Sequence, residues 1–171
     1  SDPRQRGLFG AAWTLGYVAT LAPTGVATIT LGAPTGPLGI VHRRGDEPVP
    51  YYDDAGAAAA VYPAYHVVAG LARAAGALRV DATSSDDARV RCLAYRAQGA
   101  TLLWLANLTA HDQLVMVGQA GAGAGADAAT GAYGIVLDES SFVKATTEPV
   151  AFQSAVKPIA TRKLALGAYA V

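Results

Sequence analysis

The sequence predicts an α+β chain in two parts: a helix–strand–loop–helix segment over residues 1–76 and an antiparallel β-sandwich domain over residues 77–171. Three observations predict it. Small and apolar residues recur at helical spacing near the start and again after Tyr62. From Leu78 the period changes to two, with turn-forming residues between short apolar runs. Hydrophobic residues make up 52% of the 171 and charged residues 15%, which allows a packed core and argues against disorder.

The first helix is expected to open at Asp2 as N-cap, with Pro3 at its first position and Gln5 as a capping-box partner. Leu8, Ala12, Leu15, Ala19 and Ala22 share one face, and their small size suits close packing on a sheet. Pro23 and Gly25 end it. Residues 26–31 carry Val26, Thr28, Ile29 and Thr30, and read as a buried strand. A Gly/Pro-rich loop over 32–39 then runs through a polar stretch to Tyr51, Tyr52, Asp53 and Asp54. A connection this long is uncommon unless it has a function. Pro63 starts a second helix, with Ala64, Val68, Leu71 and Ala72 on one face, Arg73 near its end and Gly76 as its stop.

Strands are expected over residues 78–83, 89–96, 101–108, 114–117, 133–137, 150–153 and 163–171. Gly121 to Gly125 form a Gly/Ala tract of loop character. The strand at 26–31 needs hydrogen-bonding neighbours on both sides, from the antiparallel domain or from a segment ahead of it. The chain starts at Ser1, its single Met is Met116, and it stops inside an apolar run at Val171, so the expectation is a piece of a larger protein.

Lys plus Arg and Asp plus Glu are each 13, so the formal net charge is zero. Nucleic acid and anionic membranes call for a basic surplus and are not expected partners. No apolar run is long enough to cross a bilayer, and no signal peptide is evident. Cys92 is the single cysteine, so no internal disulfide can form, and with only His42, His66 and His111 beside it no metal site is expected. No cofactor is expected, and a cytoplasmic setting is favoured.

Several segments resemble retaining-glycosidase-like (β/α)8 barrel proteins. Arg4-Gln5-Arg6-Gly7-Leu8-Phe9-Gly10-Ala11-Ala12-Trp13-Thr14-Leu15-Gly16 resembles their last barrel helices, and Gly25-Val26-Ala27-Thr28-Ile29-Thr30 their eighth strand. Val61-Tyr62-Pro63-Ala64-Tyr65-His66-Val67-Val68-Ala69-Gly70-Leu71 resembles their final helix. Leu103-Trp104-Leu105-Ala106-Asn107-Leu108-Thr109 and Leu166-Gly167-Ala168-Tyr169-Ala170-Val171 resemble strands of their C-terminal β-domain. The family that these stretches match is the D-apionate lactonase family, over nearly the whole chain except residues 119–130. The resemblance implies the last helix–strand–helix of a (β/α)8 barrel followed by an antiparallel domain, in a hydrolase acting on a sugar lactone or glycoside. Most of the matching motifs are packing motifs. Where the family has aromatic and acidic side chains after the eighth strand, this chain has Leu31, Gly32 and Ala33.

In barrels the chemistry sits at the C-terminal strand ends, so the loop from Gly32 to Asp54 is the part of the chain that can line a pocket. His42 and Arg43, with Arg44, can hold a substrate carboxylate or hydroxyls, although a solvated charged turn is the commoner setting for such residues. Tyr51 and Tyr52 can stack on a sugar face or pack against the barrel end. Glycoside cleavage commonly uses two separated carboxylates. Asp53 and Asp54 are adjacent and suit a loop or helix cap better, so no catalytic residue is assigned. His66 is expected as a buried, hydrogen-bonded core histidine, His111 as an exposed turn residue, Cys92 as a small core residue, and Trp13 and Trp104 as core anchors. Gly121, Gly123 and Ala126 fit a loose dinucleotide-binding spacing with no convincing helix after it. Asn107-Leu108-Thr109 is a formal glycosylation sequon at a strand end, and no Gly-x-Ser-x-Gly elbow is present.

Two functions follow. The first is the non-catalytic C-terminal portion of a glycoside-hydrolase-like protein. Its partners would be the upstream barrel segment of the same protein and a small carbohydrate or sugar lactone. The second is a self-contained carbohydrate-binding or structural module without catalysis. Under the first reading, Ala12, Leu15, Ile29 and Val68 form an exposed apolar wall.

Overall fold

The computed structural model describes residues 2–36, 39–41, 60–97, 99–118 and 131–171. Asp2 caps a 3-10 turn, Pro3–Arg6, by accepting the Arg4 N–H at 3.0 Å. The first α-helix, α1 (Leu8–Leu21), begins one residue beyond this turn. The expected N-cap therefore belongs to the turn ahead of the helix. The helix ends through a second 3-10 turn, Ala22–Thr24, and Gly25 takes the left-handed conformation that closes it.

Residues 26–31 correct the sequence reading. They form no strand, pair with none among the described residues, and are largely exposed, Val26 at 48%. Their β-branched composition favours extended backbone, but a strand needs a ladder partner. Just beyond, Ala33 makes a parallel bridge to Gly39.

The second helix, α2 (Pro63–Arg73), has Pro63 at its start as expected. Its buried face is Pro63, Ala64, His66 and Val67. Val68 is half-buried and Ala72 exposed, so the face is rotated from the one the spacing suggested. It packs against α1, and with it forms one layer of the molecule.

Three strands form the central sheet: β1 (Leu78–Val80), β2 (Val90–Ala97) and β3 (Ala100–Asn107), antiparallel in the order β1-β2-β3. Leu93 lies opposite Trp104 and Cys92 opposite Leu105. These pairs place alternate residues on opposite faces. One face, with Leu93, Trp104 and Ala106, packs on Ala11, Ala12 and Leu15 of α1 and Val67 of α2. The other, with Val90 and Leu105, packs on Val115 and Leu166. Those last two belong to β4 (Gln113–Met116) and β7 (Lys163–Leu166), an antiparallel pair. A third pair joins β5 (Tyr133–Gly134) to β6 (Lys157–Pro158).

The strand expected at 150–153 is instead a helix. Two short helices, α3 (Phe142–Thr147) and α4 (Pro149–Gln153), follow one another, and Phe152 is buried in the helix-facing core. Pro149 fixes the first position of α4, and the Phe152 N–H donates to the Glu148 carbonyl at 2.9 Å, a helical bond. The strands expected at 133–137 and 163–171 are shorter than the apolar runs that suggested them. After Leu166 the chain turns at Tyr169, whose φ of +53° is the single positive value outside glycine among the described residues. Leu137 and Val171 then exchange two backbone hydrogen bonds of 2.7 and 3.0 Å.

Ala12 and Leu15, expected in an exposed wall, are fully buried, because α1 covers the chain's own sheet. Trp13 is corrected in the opposite sense. It is 55% exposed and stacks on Tyr17, with ring centroids 6.2 Å apart. Trp104 is half-buried, and its indole N–H donates to the Tyr95 hydroxyl at 3.0 Å, as a buried indole requires. No helix among the described residues is long and apolar enough to cross a membrane.

Candidate functional site

The long loop is closed at a neck. Val41 makes an antiparallel bridge to Val61, and the Tyr62 N–H donates to the Ile40 carbonyl at 2.9 Å. On the departing side, the Val41 N–H donates to the Pro34 carbonyl at 2.9 Å, and Gly36 has a φ of +87°. On the returning side, the N–H groups of Ala60 and Val61 both donate to the Thr146 carbonyl of α3, at 2.8 and 3.1 Å. A carbonyl has two lone pairs, so one oxygen of the β-domain anchors two amides of the loop. His42, Arg43, Arg44, Tyr51, Tyr52, Asp53 and Asp54 all lie between the two sides of the neck, outside the described residues.

Tyr62 and His66 fix what lies beneath. Tyr62 is buried, with the Arg6 guanidinium 4.9 Å from its ring centre. His66 is buried as expected. Its Nε2 lies 2.9 Å from the Ala145 carbonyl and its Nδ1 3.3 Å from Gln153 Nε2. The Phe152 ring sits 4.6 Å from the imidazole. Burial, with a smaller effect of the Arg73 charge, holds the His66 pKa below its ordinary value against an opposing effect of the Ala145 carbonyl.

Beside this region is an open groove of about 410 Å³ between the start of α1 and α3. Phe9, Phe142 and Tyr169 line it, with Arg4 and Glu139. Phe9 and Tyr169 meet edge to face at 5.3 Å, and the Arg4 guanidinium lies 4.6 Å from the Phe9 ring centre. Arg4 is already engaged by both carboxylate oxygens of Asp2. Sequence reasoning passed over this groove, because its walls come from segments at least 130 residues apart in the chain.

The remaining candidates have structural roles. Cys92 is half-buried on β2, and burial raises its thiol pKa, which disfavours the nucleophilic thiolate. Asn107 is fully buried and its side chain is committed, so the sequon offers no accessible acceptor. Its Nδ2 donates to the carbonyls of His111 and Gly167, each at 2.7 Å, and its Oδ1 accepts from the Thr109 N–H and hydroxyl at 2.9 and 2.8 Å. His111 is exposed, as expected. Among the described residues no three His, Cys, Asp or Glu side chains are grouped to hold a metal ion. The glycine spacing at Gly121 and Gly123 lies outside the described residues.

Comparison with known families matches two stretches of the chain. The model of the D-apionate lactonase TIM barrel domain matches residues 1–76, and that of the D-apionate lactonase C-terminal immunoglobulin-like domain matches residues 86–171. The chain belongs to the D-apionate lactonase family. No curated protein and no solved structure matches it.

Proposed function

We propose that this chain is the C-terminal, non-catalytic portion of a lactonase acting on a small sugar lactone. Residues 1–76 would supply the last helix–strand–helix of the (β/α)8 barrel. The antiparallel domain would support them by apolar burial, and catalytic groups would come from the upstream barrel segment. The chain's own contribution to the pocket would be the loop closed at Val41 and Val61, with His42, Arg43, Tyr51 and Tyr52 as substrate contacts.

The observation that carries this reading is the state of residues 26–31. They belong to the stretch that matches a barrel domain, have strand composition, and lie largely exposed without a ladder partner among the described residues. A (β/α)8 barrel takes roughly 250 residues, so a stretch of 76 supplies only part of one. Neighbouring parallel strands would satisfy this backbone and cover its apolar side chains. The alternative, a self-contained carbohydrate-binding or structural module, draws support from the core that α1 and α2 already share with the sheet.

Hydrolysis of a lactone opens the ring ester and releases an acid, so titration of the acid formed follows it directly. The full-length protein should hydrolyse a sugar lactone and this chain alone should not. Tyr52→Ala and Arg43→Ala in the full-length protein should raise KM about tenfold with a smaller change in kcat, because they remove binding contacts and leave the reacting groups in place. Hydrolysis by the isolated chain would overturn the reading.

A further inference from the structure

We infer that His66, Gln153 and Arg73 form a proton-sensitive clamp that holds the returning end of the long loop against α3. The inference rests on the hydrogen-bond roles, which are fixed one by one. The Ala145 carbonyl can only accept, so His66 Nε2 carries the hydrogen of that 2.9 Å bond. Neutral His66 then has a bare Nδ1, which must accept from its neighbour, the Gln153 side-chain amide nitrogen at 3.3 Å. The amide cannot turn around, because its Oε1 accepts from the Arg73 guanidinium at 2.6 Å. The chain of donors therefore runs Arg73 to Gln153 to His66 to the Ala145 carbonyl.

A second proton on His66 breaks this chain wherever the amide points. With Gln153 as it stands, Nδ1–H faces an N–H group. With the amide reversed, its nitrogen faces Arg73. In both cases two donors oppose each other in a partly buried site, and a hydrogen bond is lost. Arg73 is the charge that acts on His66, and it also opposes the imidazolium. Lys144 of α3 and Glu148 between α3 and α4 are exposed, and the 3-10 turn Pro3–Arg6, which also packs on α2, carries Arg4 and Arg6. The Phe152 ring against the imidazole adds no acceptor.

The clamp acts one residue away from the loop anchor. Ala145 receives His66, and Thr146, next to it, receives the Ala60 and Val61 amides. Opening the His66 joint therefore loosens α3 where it pins the loop. In the closed joint His66 titrates below 6.5, and in the open joint it returns to that ordinary value. The joint is thus at full strength above pH 6.5 and weakens as the pH falls through it, by up to about tenfold in the opening equilibrium per pH unit.

Amide hydrogen exchange of Ala60 and Val61 in the full-length protein, corrected for intrinsic exchange, reads this directly between pH 8 and pH 5. Protection should fall about tenfold over this range in the wild type. It should be flat in His66→Gln, which keeps a donor for Ala145 and cannot titrate. In Gln153→Glu, which retains the histidine and offers a carboxylate to Nδ1–H, the fall should vanish or become a rise, because the carboxylate favours the imidazolium in the closed joint. Protection that is independent of pH in the wild type, or a wild-type profile in Gln153→Glu, would overturn the inference even if His66→Gln fails to fold.

Discussion

Asn107 shows how much one buried amide can organise. It ends β3, bonds the turn that follows, and bonds the carbonyl of Gly167 ahead of the Tyr169 turn. Its own N–H donates to the Ala170 carbonyl at 2.9 Å. Replacing it by Ala leaves the partly buried carbonyls of His111 and Gly167 and the Thr109 N–H without their side-chain partner. The expected loss is about 3 kcal/mol, at roughly 1–3 kcal/mol for each group left unsatisfied. Asn107→Asp should cost at least as much, because a carboxylate would face those same carbonyls. Chemical denaturation of the two variants checks both, and a loss under about 0.5 kcal/mol for either would show that the network is not structural. In the sequence Asn107 is visible only as part of a sequon, because its bond to Gly167 spans sixty residues and its local partners are a backbone carbonyl and a threonine of the turn. His66 was legible, since an imidazole inside an amphipathic helix usually finds a core partner. Trp13 was not, because helical spacing gives a side chain's direction and leaves open what stands there to cover it.

At the scale of elements, close approach decides more than propensity. Gly70 lies in α2, where Ala ordinarily stabilises a helix by up to about 1 kcal/mol over Gly. A Cβ at Gly70 would run into the six-membered ring of Trp104, and that indole is held by its bond to Tyr95. Gly70→Ala should therefore lower stability, by about 1–3 kcal/mol from overpacking. Thermal unfolding decides the sign: a rise in Tm would mean the ring has room to move. The helices α1 and α2 and the central hairpin were legible because their periodicity and punctuation are local: Pro63, Gly76, and Gly99 at φ +79° in the turn between β2 and β3. Residues 150–153 misled because three apolar residues, Val150, Ala151 and Phe152, fit a strand or a helix equally, and it is Pro149 and the burial of Phe152 that select the helix. Residues 26–31 misled for the converse reason: extended composition does not supply a ladder partner.

Across the whole molecule, the layers cross the division between the two matched domains. Ala11, Ala12, Leu15 and Val67 come from the stretch matching the barrel domain, and Leu93, Ala106, Leu137, Ala145 and Phe152 from the stretch matching the immunoglobulin-like domain. The first helix thus packs its buried face on the β-domain and α2 and leaves Trp13 and Tyr17 exposed. The candidate loop is tied on one side to its own segment and on the other to α3. Its approximate location was legible from the Gly/Pro-rich run and the length of the connection. The tether was not, because it depends on a backbone carbonyl, which carries no side-chain signature.

The intact mass of the protein from its native source tests most directly the proposal that this chain is one part of a barrel lactonase. A full barrel takes roughly 250 residues before the C-terminal domain is added. The proposal predicts a single polypeptide far heavier than 17.4 kDa, the mass of these 171 residues. A native mass of 17.4 kDa would contradict it and leave a small self-contained module as the reading to pursue.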